Sequence, residues 1–75
     1  MANEPMRYHV EPIEGGWKVT PGPDSQPESV HESKYEAIAA AEHCARKHTM
    51  AEVVVHRRDG TVEQQHSVGA EHRTG

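Results

Sequence analysis

One stretch constrains the fold more than any other: Val53-Val54-Val55-His56-Arg57-Arg58-Asp59-Gly60-Thr61-Val62. A β-branched run, an Asp-Gly pair and a return strand make the strongest short-range hairpin signal a sequence can offer. With Asp59 and Gly60 as the two turn residues, positive φ is expected at both. Arg57 then faces Val62, His56 faces Glu63 and Val55 faces Gln64. Directly opposed residues share a face. Val53, Val55 and Val62 are therefore predicted to line the core side, and Val54, His56, Thr61 and Glu63 the other. The stretch also exposes a basic strand end, His56-Arg57-Arg58, on a chain whose formal charge is −4.

Upstream, residues 7–11 alternate, with Tyr8 and Val10 on one face and His9 on the other. Pro12 is expected to close that run, because proline cannot donate to a ladder. Ile13-Glu14-Gly15-Gly16 supplies a turn, and Trp17-Lys18-Val19 resumes the alternation with Trp17 and Val19 inward. Residues 20–32 hold Pro21, Gly22, Pro23 and Pro27 among polar side chains and read as a mobile loop with Val30 as its one anchor. Ser33-Lys34-Tyr35-Glu36 matches a capping box, so a helix should follow to about His48. Its apolar stripe is Ile38, Ala41 and Ala45, flanked by Ala37, Cys44 and His48. Residues 1–6 read as a disordered lead-in, 7–66 as one domain, and 67–75 as a loose polar tail. The expected fold is α+β, a small antiparallel sheet in β-β-α-β-β order with one helix packed on one face.

The core available to these elements is thin. The 75 residues include no Leu and no Phe, and eight of the hydrophobic residues are Ala. A single core of this size supplies only roughly 3–5 kcal/mol. The one cysteine, Cys44, excludes an internal disulfide and suits a cytoplasmic setting. The net acidic charge argues against a generic nucleic-acid binder. No apolar run approaches a membrane span, and Met1-Ala2-Asn3-Glu4-Pro5 lacks the pattern of a signal peptide.

Tyr8-His9-Val10, Gly16-Trp17-Lys18-Val19, Ser33-Lys34 with Glu36-Ala37-Ile38 and Ala40-Ala41, and Val54-Val55-His56 with Arg58-Asp59-Gly60 together resemble a bacterial family, domain of unknown function 2188. The resemblance covers roughly residues 7–69. It implies a compact cytoplasmic domain with no assigned activity, and it transfers no catalytic residue. Two departures are His31, where the family usually carries an aromatic, and Val68, near which it often carries a Tyr.

Candidate chemistry is sparse. Cys44 and His48 stand one helical turn apart and are the weak metal candidates, but a closed zinc site needs four ligands and no second pair of this kind exists. His9 and His56 lie on strands and could converge, with His56 on the side away from the helix. Solvated or edge histidines are the plainer account. Cys44 beside His48 nominally supplies a nucleophile and a base, yet a thiol flanking an alanine stripe is ordinarily a small packing residue. Arg46, Lys47 and His48 could join His56, Arg57 and Arg58 in a basic patch for a nucleic acid or a partner, if the helix end lies near the second hairpin. Cations at a helix C-terminus and charges at strand ends need no ligand to explain them. Trp17 reads as core, with a role at an interface as the alternative.

The residues thus point to a small non-enzymatic interaction or accessory module. It needs no cofactor and no membrane, acts on an unidentified protein partner, and self-associates as a homodimer to cover bulky sheet residues or to pair outer strands edge to edge. A nucleic-acid-associated accessory protein is the alternative reading, and a catalytic or metal-binding protein the third.

Overall fold

The computed structural model describes residues 6–22, 26–47 and 50–69. The elements run β1 (Met6–Ile13), β2 (Gly16–Thr20), β3 (Ser29–His31), α1 (Lys34–Ala45), β4 (Met50–His56) and β5 (Val62–Gly69). They form a five-stranded sheet in the order β3-β2-β1-β4-β5, with α1 laid over β1, β2 and β4.

The α+β class is as expected, but the sheet is mixed. β1 and β4 pair in parallel, while β1–β2, β2–β3 and β4–β5 pair antiparallel. The added strand explains the difference. Ser29–His31, inside the segment read as a loop, pairs with β2 through Trp17↔His31, Lys18↔Val30 and Val19↔Ser29. One more reversal before the helix turns the helix over, and the strand after it then runs alongside β1 instead of against it. Val30 does not anchor this segment to the core, since it is 59% exposed on the uncovered face. Backbone proximity holds the strand instead. Gly16 lies so close to β3 that a Cβ built on it would overlap the His31 carbonyl oxygen.

β1 continues through Pro12 to Ile13, beyond the break expected at proline. Its ladder to β4 ends at Val10↔Val55, so at Pro12 one edge of the strand is free and the missing N–H costs no ladder bond there. The helix begins as expected, with Ser33 Oγ accepting from the Glu36 amide at 3.1 Å. It ends at Ala45, with Arg46 as its C-cap, earlier than the His48 limit. Ala37, Ala41 and Ala45 are fully buried against Tyr8, Val10, Val19, Ala51, Val53 and Val55, and Ile38, Cys44 and Trp17 pack at the rim of this core. Alanines let the helix sit close to the sheet, and valines on the facing strands supply most of the volume.

The second hairpin forms where expected, but with different turn geometry. Arg57 N–H donates to Thr61 O at 2.8 Å and Gly60 N–H to Arg57 O at 2.9 Å. Gly60 has φ +92, and among the described residues no residue other than glycine has positive φ. The loop is thus Arg58-Asp59-Gly60, a three-residue turn closed by a left-handed glycine, in place of a two-residue turn with positive φ at Asp59 as well. The register slips at Val55/His56, so that His56 faces Val62 while Val55 still faces Gln64. This bulge moves Val62 to the face of His56, where it is 46% exposed and outside the core. Glu63 turns toward the helix and forms an ion pair with Lys34 at 2.9 Å.

Of the expected flanking segments, Ser67–Gly69 belongs to β5 and Met6 opens β1, while residues 1–5 and 70–75 lie outside the described residues.

Candidate functional site

α1 covers one face of the sheet, and strand alternation sends His9, Glu11, Thr20, Val54 and His56 to the other. Near the carboxyl ends of β1 and β4 the chain leaves in opposite directions, β1 toward β2 and β4 toward β5. A crevice opens between diverging strand ends of this kind. Here it has a volume of about 300 Å³ and is lined by Glu11, Pro12, His56, Arg57, Arg58 and Gly60.

His56, which lines that crevice, meets His9 on the same sheet face. His9 Nδ1 lies 2.9 Å from His56 Nε2, and the rings stack with centroids 5.1 Å apart and an interplanar angle of 28°. His56 Nδ1 lies 3.3 Å from the Gly60 carbonyl oxygen, which can only accept. This contact favours the neutral tautomer protonated at Nδ1, leaving the Nε2 lone pair directed at His9 and Glu11. Glu11 Oε2 is 3.9 Å from His56 Nε2, while its Oε1 is 3.6 Å from Lys18 Nζ. Burial, and then the neighbouring His56 ring, hold the His9 pKa below the usual histidine value. Around this cluster, Arg7 pairs with Glu52 at 2.9 Å and Gln65 donates to Glu52 at 3.2 Å. Thr20 stands opposite His9 in the β1–β2 ladder, and its buried Oγ1 has no hydrogen-bond partner.

The other expected site residues disperse. Arg46 and Lys47 follow the end of α1, next to the start of β4, whereas His56, Arg57 and Arg58 lie at its far end. Seven strand residues separate the two ends by about 20 Å. The basic residues therefore form no single patch. Arg57 is turned back on its own hairpin, donating to Thr61 Oγ1 and Val62 O at 3.2 Å each. Cys44 is half-buried against the core, and His48 lies outside the described residues. Trp17 is half-buried at the core rim, with Lys34 Nζ 5.8 Å from its ring centroid. Sequence reasoning gives Glu11, Pro12 and Gly60 no place in a site. For Glu11 the available signal is its i+2 spacing from His9, which puts both on one face of a strand.

Comparison with known families agrees with the resemblance read from the sequence. Residues 8–68 match the family described as an uncharacterized protein conserved in bacteria, DUF2188, and the chain belongs to it. No curated protein and no solved structure matches the chain significantly. Among the described residues, no helix is long and apolar enough to cross a membrane.

Proposed function

We propose that this chain is a small non-enzymatic interaction module that self-associates by pairing β5 with β5 of a second copy. Among the described residues the outer edge of β5 pairs with no strand, and that edge carries the reading. β5 ends the sheet, and its eight residues span about 24 Å. Natural sheets guard such edges with lysine, proline, very short strands or strong twist. β5 has neither Lys nor Pro, and its bulge lies at one end only. Two of its helix-facing side chains are already engaged, Glu63 with Lys34 and His66 with Glu42 at 3.0 Å. That leaves the backbone edge to meet a partner. A two-fold axis near Gln65-His66 would set polar, mostly uncharged side chains against one another, with no like-charge repulsion.

The non-enzymatic part of the reading is supported by the crevice, whose lining offers no Ser, Thr, Cys or Lys as a nucleophile. A cytoplasmic setting, favoured by the lone thiol, belongs to the same reading. The nucleic-acid alternative is less favoured because the basic residues sit at opposite ends of the domain.

Multi-angle light scattering across a concentration series tests the proposal. The wild-type chain should give a dimer mass, and its melting temperature should rise with concentration. Gln65→Lys combined with Ser67→Lys should give a folded monomer. A monomer mass for the wild type at every concentration, or an undisturbed dimer in the lysine variant, would overturn β5 pairing. Salt-sensitive retention of the monomer on nucleic acid would favour the alternative.

A further inference from the structure

We propose that His9, Glu11 and His56 form a site for a divalent transition metal of the zinc type, on the sheet face opposite the helix. The site rests on geometry that β5 pairing neither needs nor supplies. One ligand atom from each of the three residues lies within 4.8 Å of the other two. Two imidazole nitrogens bound to one Zn²⁺ stand about 2.9 Å apart at a right angle and about 3.3 Å apart at the tetrahedral angle. His9 Nδ1 and His56 Nε2 are already 2.9 Å apart, so a small ring rotation brings both onto one ion. Glu11 Oε2, 3.9 Å from His56 Nε2, needs only a side-chain adjustment to supply the third ligand.

The donor set selects the metal. Two imidazoles and one carboxylate suit zinc and its neighbours, whereas calcium and magnesium prefer oxygen ligands. The supporting contacts have the form common around metal-bound histidines, in which the second ring nitrogen is held by a carbonyl. For His56 that partner is Gly60 O at 3.3 Å, so the turn glycine also orients a ligand. Lys18 holds the other oxygen of Glu11 at 3.6 Å and aims the carboxylate. Glu11 brings the one negative charge, and Arg57 is drawn away from the ion by Thr61 and Val62.

Three protein ligands leave a tetrahedral ion one open position, and the crevice gives it access to solvent. Thr20 adds an independent observation. It is 5% exposed, shares the face of His9, and carries a hydroxyl without a hydrogen-bond partner. A water held beside His9 would offer that hydroxyl one.

The test is calorimetric titration of ZnCl₂ into the chelator-treated full chain at neutral pH, with MgCl₂ as the comparison. One equivalent of Zn²⁺ should bind with micromolar affinity or better, and Mg²⁺ should not bind at that affinity. His9→Gln, His56→Gln and Glu11→Gln should each weaken zinc on the order of 10-fold or more. Cys44→Ser and His66→Gln should leave it unchanged, and Gln65→Lys with Ser67→Lys should too, so this proposal and β5 pairing fail separately. Zinc no tighter than millimolar, or wild-type affinity in both His9→Gln and His56→Gln, overturns the site. If a variant does not fold, nitrogen NMR of the wild-type histidine rings decides. Zinc must shift His9 Nδ1 and His56 Nε2, and shifts confined to other histidines overturn the proposal.

Discussion

Replacing Val53 and Val62 separately by threonine tests the bulged register at its most consequential point. Val53 stands between Tyr8 of β1 and His66 of β5 and is fully buried. Val62 faces His56 and is 46% exposed. Threonine keeps the shape and the strand preference of valine, so each substitution exchanges one methyl for a hydroxyl. At Val53 the lost methyl costs about 0.8 kcal/mol. A hydroxyl buried among valines and alanines without a partner costs roughly 1–3 kcal/mol more. The expected loss is about 2–4 kcal/mol, against the roughly 3–5 kcal/mol that a core of this size supplies. At Val62 water already reaches the side chain, and the change should stay within about 0.5 kcal/mol.

Urea unfolding followed by the fluorescence of Trp17, the single tryptophan, reads both variants at one fixed protein concentration. With an m-value of about 1 kcal/mol/M, Val53→Thr should lower the midpoint by about 2 M or more, and Val62→Thr by no more than about 0.5 M. Comparable losses at the two positions would put Val62 back in the core and refute the bulge. An indifferent Val53→Thr would refute the assignment of faces along β4.

Two glycine substitutions should fail for different reasons. Gly60→Val has open space but φ +92, so its expected cost of about 1–2 kcal/mol is conformational, and an unchanged denaturation midpoint would place the turn elsewhere. Gly16→Ala instead meets the His31 carbonyl, and hydrogen exchange should show β3 amides losing protection while β4 and β5 keep theirs; uniform protection would contradict the close approach. Asp59 accepts from Thr61 Oγ1 at 2.7 Å and Thr61 N at 3.0 Å, and these bonds hold its carboxyl below the usual aspartate range. A lowered folded-state pKa contributes stability that is present above the unfolded value of 3.8 and lost as pH falls through the folded one. The stability gap between wild type and Asp59→Ala should therefore be open at pH 6 and close in strong acid, and a gap independent of pH would show that the two bonds contribute nothing.

Local chemistry was legible in the sequence, and the cases where it misled are informative. Ser33 caps the helix because a hydroxyl three residues before a free amide can do so in any context. The alanine stripe faces the sheet because helical spacing alone decides which residues share a face. The Asp-Gly pair correctly marked a hairpin, yet the same two residues serve a two-residue turn and the end of a three-residue turn. Only the negative φ of Asp59 separates the two, and no residue type dictates it. The consequence was one valine on the wrong face, because a register slip of one residue exchanges faces.

The candidate site was hidden by the number of strands rather than by its own residues. Each element of a compact sheet reverses the chain, so the direction of β4 depends on how many reversals precede it. β1, β2 and a helix alone would bring the next strand back antiparallel to β1. Ser29–His31 adds one reversal, and β4 returns parallel to β1. That small strand has little local signature. Its Val30 is exposed, prolines precede it, and what holds it is the lack of a side chain at Gly16 on the neighbouring strand. Parallel pairing then sets the carboxyl ends of β1 and β4 side by side, which carries His9 and Glu11 to His56 although 45 residues separate Glu11 from His56 in sequence. In an all-antiparallel sheet the carboxyl end of β1 would meet the amino end of its neighbour, and the same three residues would stand far apart. Three residues of a weak edge strand thus decide whether the two histidines ever meet. Disturbing β3 by Gly16→Ala is therefore expected to loosen the His9–His56 contact without touching either ring. Ring NMR shifts of the two histidines that stay unchanged in a Gly16→Ala protein with an unprotected β3 would show that β1 and β4 hold the pair by themselves.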